Sequence, residues 1–210
     1  VAPLHGVGRG FESLIAHMKH LFKSKFYIKF KAPNSEQLNS KIEEVSLDRI
    51  DNDSFDWGYG CLVDKIALTI DDWMNLYIPS LDIFSKELNY GGGMNLLNPW
   101  LNVYTRNYYQ EIHDHPADFS CVYYPDMQEG FSQFYFRDRH NTDLSERLQT
   151  VLNYNDTEIV DVNPGDILFF PGHMLHGVSP HKSDIMRKTL STNIYLCTEA
   201  VGSSNSSSPI

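Results

Sequence analysis

Two histidines one residue apart, His113 and His115, stand in the stretch Gln110-Glu111-Ile112-His113-Asp114-His115-Pro116. On a β-strand successive side chains alternate faces, so both imidazoles project the same way, which is a geometry for gripping one metal ion. A third histidine, His176, lies far downstream in Pro171-Gly172-His173-Met174-Leu175-His176-Gly177-Val178, and Arg187 follows it by eleven residues. Three imidazoles suit a divalent first-row metal and leave coordination positions open for substrate and oxygen. An arginine offers a planar fork that pairs with a carboxylate through two hydrogen bonds. Two close ligands, one remote ligand and a trailing arginine point to a non-haem iron site that binds a keto acid.

A His-x-His pair alone is weak, because such pairs arise by chance; its downstream context is more specific. Asn163-Pro164-Gly165-Asp166 has Pro and Gly where a type II turn requires them. The apolar run Asp166 to Pro171 comes next, then His176-Gly177-Val178, and Met186-Arg187-Lys188-Thr189 opens the last long strand. Thr189 is two residues past Arg187 and therefore shares its strand face. Asp114 would face away from His113 on a regular strand. It becomes a ligand only if the strand bulges or bends near Pro116, so His115 is the preferred third ligand. His173 and His181 flank the distal histidine and read as loop residues. His17 and His20 read as surface histidines, and nothing supports His5 or His140 as ligands.

These residues need a scaffold. After Gly91-Gly92-Gly93 short β-branched and aromatic runs alternate with turns: Met94 to Tyr104, Tyr109 to His115, Phe119 to Tyr124, Phe131 to Phe136, Glu158 to Val162, Asp166 to Phe170, Met174 to Val178 and Lys188 to Cys197. Strands at that spacing predict a double-sheet barrel or jelly roll. Before the glycines, Phe11, Leu14, Ile15, Met18, Leu21 and Phe22 recur at helical spacing, and Phe26, Ile28 and Phe30 alternate as in a strand. Leu38, Ile42 and Val45 predict a short helix opened by Asn34 and Ser35. Asp48 to Gly60 reads as a polar loop. Thr69 to Leu88 predicts a longer helix that Pro79 should break or kink. The predicted class is mainly β (α+β): a double-stranded β-helix or jelly-roll core over residues 94–200, with N-terminal helices packed outside. Residues 1–93 are an elaboration of the same domain, and 201–210 form a disordered serine-rich tail. The charged insertion 137–157 is a candidate lid.

A chain of 210 residues with 41% hydrophobic and 13% aromatic content is long and apolar enough for one folded domain. Its formal net charge of -10 disfavours non-specific binding to nucleic acid or anionic membrane. Cys61, Cys121 and Cys197 form no CxxC pair, which suits reduced thiols in a cytoplasmic protein. No apolar run reaches the roughly 18 residues of a membrane span, and the start shows no signal-peptide pattern. The helical N-terminal part could pack on the barrel or form a homodimer.

From Trp100 to Cys197 the chain resembles the iron(II)- and 2-oxoglutarate-dependent oxygenases, in the branch that holds prolyl 4-hydroxylase-like proteins and phage and marine bacterial members. That family carries His-x-Asp, a distal His and a later Arg or Lys on a jelly-roll core. Asn102-Val103-Tyr104 is similar to the Asn-x-Tyr of the family's DNA-repair demethylases, and Tyr104 precedes His113 by nine residues, as a tyrosine does in the family. The resemblance implies Fe(II) as metal, held by His113 and His176, and 2-oxoglutarate as cosubstrate. Arg187 would hold its distal carboxylate with help from Thr189 and Tyr104, and Asn102 would contact its keto-acid end. It implies hydroxylation by O2 of a peptidyl proline, an amino acid or a small metabolite, with release of succinate and carbon dioxide. The departure is His115 where the commonest pattern has Asp, which makes the site one charge more positive. Two other readings stand beside this one. A three-histidine cupin-type metalloenzyme without keto acid is opposed by Arg187 and Thr189; a non-catalytic ligand-binding barrel is favoured by His115. The aromatic residues Tyr108, Tyr109, Tyr123, Tyr124 and Phe134 are candidate pocket walls.

Overall fold

The computed structural model describes residues 25–44, 55–56, 62–65, 70–97, 99–138, 145–152 and 155–197. The helix expected over 11–22, the histidines His5, His17, His20 and His140, the cap Thr69, Cys61 and the tail lie outside the described residues.

Two antiparallel sheets form the body. The larger runs β1 (Ile28–Lys31), β10 (Asp166–Pro171), β7 (Phe119–Tyr123), β12 (Arg187–Leu196), β5 (Trp100–Tyr104), β3 (Leu62–Lys65), β2 (Phe55–Asp56), and β4 (Met94–Leu96) also pairs with β12. The smaller runs β6 (Gln110–His113), β11 (His176–Val178), β8 (Phe134–Arg137), β9 (Thr157–Ile159). From β5 onward the chain passes back and forth between the sheets, with β5, β7, β10 and β12 in one and β6, β8, β9 and β11 in the other. That winding is the jelly roll.

Strand alternation sorts the side chains of the large sheet. Leu101, Val103, Cys121, Tyr123, Ile167, Phe169, Leu190 and Ile194 turn outward and bury against Leu38 and Ile42 of α1 (Ser35–Glu44) and Tyr77, Leu81 and Phe84 of α2 (Ile70–Leu88). Phe84 stacks on Phe169 with ring centroids 4.3 Å apart and meets Phe119 edge-on at 5.0 Å. The alternate residues, among them Tyr104, Tyr124, Leu168 and Phe170, turn inward to meet Phe134, Phe136 and Val178 of the small sheet. One face of the sheet thus anchors helices while the other lines the space between sheets.

A break at Pro79 and an all-loop stretch from Asp48 to Gly60 are corrected. Helix α2 continues past Pro79 to Leu88 without a break. Proline removes one backbone hydrogen bond, but Tyr77, Leu81 and Phe84 bury on both sides of it, and packing decides helix persistence. Within the predicted loop Asp48 to Gly60, Phe55 and Asp56 pair with Val63 and Leu62. A two-residue strand is too short to show a period. Strands β1, β2 and β3 precede the glycine hinge, so the large sheet draws on both sides of it. At the predicted type II turn Gly165 has φ +84° and the Asp166 amide donates to the Asn163 carbonyl at 3.0 Å. In the insertion, α3 (Glu146–Val151) is capped by Ser145, whose hydroxyl accepts from the Leu148 amide at 3.3 Å. Among the described residues no helix is long and apolar enough to cross a membrane.

Candidate metal centre and its cavity

His113 is the last residue of β6 and His176 the first of β11, and the antiparallel register sets them opposite each other. Each ring is oriented from behind. Nδ1–H of His113 donates to the Glu111 carbonyl at 2.7 Å, and that of His176 to the Met174 carbonyl at 2.9 Å. With Nδ1 occupied, Nε2 is the nitrogen that each ring could offer a metal. His115 lies beyond the end of β6, so strand alternation alone does not deliver it. Its amide donates to the Gly172 carbonyl at 2.9 Å, and the Gly172 amide to the Asp118 carbonyl at 3.1 Å. A Cβ at Gly172 would fall 2.2 Å from the Ala117 carbonyl oxygen, so only glycine admits this approach. The three ligand atoms all lie within 4.8 Å of one another. Asp114 is exposed and outside the group.

His115 and His176 are held neutral. Burial, then the neighbouring His113, pushes His115 down to about 4, and the same two causes in the same order hold His176 well below the usual imidazole range. Lone pairs are therefore available to a metal without competition from protons. A consequence follows for the metal-free protein. The unfolded chain takes up these protons near pH 6.5, whereas folded His115 does so only near 4. Between those values the unfolded state binds more protons, so stability is complete above pH 6.5 and falls as pH drops toward 4. The expected loss is on the order of 3 kcal/mol from His115, or roughly 10 °C in Tm. Melting the metal-free protein and a His115→Gln variant from pH 7.5 to 4.5 checks it; equal slopes for the two would exclude His115 as the source.

A cavity of about 410 Å³ opens between the sheets beside the histidines. Trp100, Phe134, Phe170 and Val178 give it apolar walls, and the Trp100 ring lies 5.9 Å from that of His115. At its inner end Arg187 is 1% exposed, with its guanidinium 4.9 Å from the Tyr104 ring and 5.5 Å from the Tyr124 ring. Nη1 donates to the Ser132 hydroxyl at 2.9 Å, while the buried Nε has no hydrogen-bond partner. The buried Tyr124 hydroxyl also has none. No aspartate or glutamate lines the cavity among the described residues. A buried guanidinium, an unpartnered N–H and an unpartnered hydroxyl make a receptor for an anion.

Thr189 and Asn102 line the same cavity and are buried. The Asn102 amide donates to Ser191 Oγ at 2.9 Å and Thr189 Oγ1 at 3.2 Å, and its oxygen accepts from Gln110 Nε2 at 3.3 Å. The Tyr104 hydroxyl donates to Gln110 Oε1 at 2.9 Å, so it already has a protein partner. No motif in the sequence marks Gln110, Ser191 or Ser132. Ser191 was accessible to the period-two rule that links Arg187 and Thr189; Ser132 and Gln110 carry no local pattern. Of the candidate walls, Tyr124 and Phe134 line the cavity. Tyr123 does not: it points to the helices, its hydroxyl donating to Asn39 Oδ1 at 2.6 Å. Tyr108 and Tyr109 are half-buried elsewhere, His173 is exposed, and His181 is buried away from the cavity.

Residues 98–193 match the family described as "Putative 2OG-Fe(II) oxygenase". No curated protein sequence matches the chain. Solved structures do. HygX from Streptomyces hygroscopicus, with nickel, 2-oxoglutarate and hygromycin B bound, is 13% identical with a TM-score of 0.60, over 90% of this chain and 88% of that one. A Pseudomonas putida prolyl-4-hydroxylase is 13% identical with a TM-score of 0.56, over 82% and 93%. SnoK, a non-heme alpha ketoglutarate dependent carbocyclase from nogalamycin biosynthesis, is 14% identical with a TM-score of 0.58, over 82% and 80%. At such identities the likeness is one of fold.

Proposed function

We propose that this chain, whose residues 98–193 carry the 2OG-Fe(II) oxygenase family pattern, is an Fe(II)- and 2-oxoglutarate-dependent oxygenase that hydroxylates a small-molecule or peptidyl substrate. One observation carries the reading: a triad of imidazoles and a buried arginine with an unpartnered Nε face the same cavity. The donor set fits the metal, because imidazoles suit divalent first-row ions. The inner end fits the keto acid, because its distal carboxylate would meet Arg187, Tyr124 and Thr189.

His113, His115 and His176 would hold Fe(II), and Asn102 the keto-acid end of the cosubstrate. When bound, iron and keto acid together supply the reduction of O2 that oxidises a C–H bond, with succinate and carbon dioxide as coproducts. The chain's own residues bind and orient. The carbonyls of Glu111 and Met174 fix the ring planes of His113 and His176. Arg187 presents its Nε edge because Nη1 is tied to Ser132. Trp100, Phe134, Phe170 and Val178 keep water from the reacting face. HygX, whose structure holds hygromycin B, and a prolyl-4-hydroxylase share this fold, so small molecules and peptidyl proline are both substrate classes to screen.

Anaerobic titration of the protein with Fe(II) and then 2-oxoglutarate tests the reading through the weak visible charge-transfer band of the chelate. A saturable band is expected. Tight iron binding with no band would favour a three-histidine enzyme that uses no keto acid, and absence of iron binding would leave a ligand-binding barrel.

A further inference from the structure

We infer that His181, outside the cavity and not a ligand of anything in it, is the positioning residue that aims Arg187 at the cosubstrate; the inference rests on the reading of Arg187 above. His181 is fully buried. Its backbone ties two loops together: its amide donates to the Tyr108 carbonyl at 2.8 Å, and its carbonyl accepts from the Asn107 amide at 2.8 Å. Its ring ties in a third, and braces its own loop. Nδ1 accepts from the Ser132 amide at 3.3 Å, and Nε2 faces the Ile185 carbonyl at 2.8 Å. An amide can only donate and a carbonyl can only accept. Both contacts are therefore satisfied by one form alone, the neutral ring protonated on Nε2.

What distinguishes His181 from an ordinary satisfied core histidine is where its two partners lead. Ser132 is the residue whose hydroxyl receives Arg187 Nη1 at 2.9 Å. Ile185 stands two residues before Arg187, at the entry to β12. One ring nitrogen thus fixes the anchor of the guanidinium, and the other fixes the backbone from which the arginine departs. The Phe131 ring centroid lies 5.1 Å from that of His181, and the Lys182 amide donates to the Gly130 carbonyl at 2.9 Å, a further tie between the loops that carry Ser132 and His181. The circuit runs His181, Ser132, Arg187, Ile185 and back to His181. Loosening it would let Nη1 leave Ser132 and turn the Nε edge away from the carboxylate, with no change at the three metal ligands.

The test uses nickel-loaded protein, which binds keto acid without turnover, and calorimetric titration with 2-oxoglutarate. His181→Gln keeps an amide donor toward Ile185 and loses the acceptor for Ser132; His181→Asn has the reverse bias. Each is expected to raise the Kd for 2-oxoglutarate about tenfold, one hydrogen bond to a charged partner being worth about that factor. Ser132→Ala is expected to do the same, and the double variant His181→Gln/Ser132→Ala no more than either alone, because all act through one contact. The Kd for Ni(II) should stay within about twofold of native, which a merely structural loss would not allow. Native-like 2-oxoglutarate affinity in both His181 variants would overturn the inference, as would additive losses in the double variant. If a His181 variant does not fold, Ser132→Ala decides alone: unchanged affinity overturns the proposal. Native nickel protein that binds no 2-oxoglutarate would instead sink the cosubstrate reading, and the inference with it.

Discussion

Replacing Arg187 with alanine is expected to abolish 2-oxoglutarate binding in the millimolar range while leaving metal binding intact. Removing one partner of a buried, hydrogen-bonded charge pair costs about 2–5 kcal/mol, or roughly 30- to several-thousand-fold in Kd. Here the loss should sit at the upper end, since no other cation lines the cavity among the described residues. Arg187→Lys should fall between, because an ammonium keeps the charge and loses the two-pronged geometry. The same arginine should be a burden on the empty protein. It is 1% exposed, its Nε has no hydrogen-bond partner, and among the described residues no carboxylate lines the cavity. A desolvated charge without a counterion lowers stability, and apolar replacement of buried ionic groups can raise it by about 1–4 kcal/mol. Arg187→Met is therefore expected to melt several degrees above native without ligand and to lose that advantage at saturating 2-oxoglutarate. Calorimetry and paired melts check both halves. Unchanged keto-acid affinity in Arg187→Ala would move the carboxylate site elsewhere. A lower Tm for Arg187→Met would mean that contacts with the Tyr104 and Tyr124 rings outweigh the buried charge.

The alternating strands and their wrapping into two sheets could be read from the chain because residues facing helices and residues facing the cavity follow a period of two. Arg187 and Thr189 face inward while Leu190 faces the helices, and that pattern needs no partner to be seen. The histidine pair is more instructive. A strand through both would carry His113 and His115 together, yet β6 stops at His113, and His115 reaches the cluster because Gly172 lets two backbones meet. No local pattern announces that contact, since Gly172 and His115 are remote in sequence. Ser132 and His181 were beyond reach for the same reason: their importance lies in a circuit of long-range hydrogen bonds ending on Arg187. Pro79 shows the opposite failure, a strong local rule overridden by burial on both sides of it.

His115→Ala is expected to cost more in metal affinity than the 10–100-fold typical of losing a group that only supports a ligand, because a direct donor goes. Titration of Fe(II) under anaerobic conditions, or of Ni(II) in air, measures it. His115→Asp is the more informative partner. Imidazole ligands add no charge to a metal, so a divalent metal, a doubly charged keto acid and Arg187 would sum to one positive charge in a cavity that no acidic residue lines among the described residues. A carboxylate at 115 would bring that sum to zero. It should therefore hold the metal at least as tightly as the native imidazole, while binding 2-oxoglutarate more weakly, by on the order of tenfold. The two affinities then move in opposite directions, which misfolding would not produce. If His115→Ala keeps native metal affinity, His115 is not a ligand, and the exposed Asp114 or a two-histidine site becomes the reading to test. If His115→Asp strengthens both affinities, the native charge is not what draws the keto acid, and His115 was retained for something the cavity does later, with substrate.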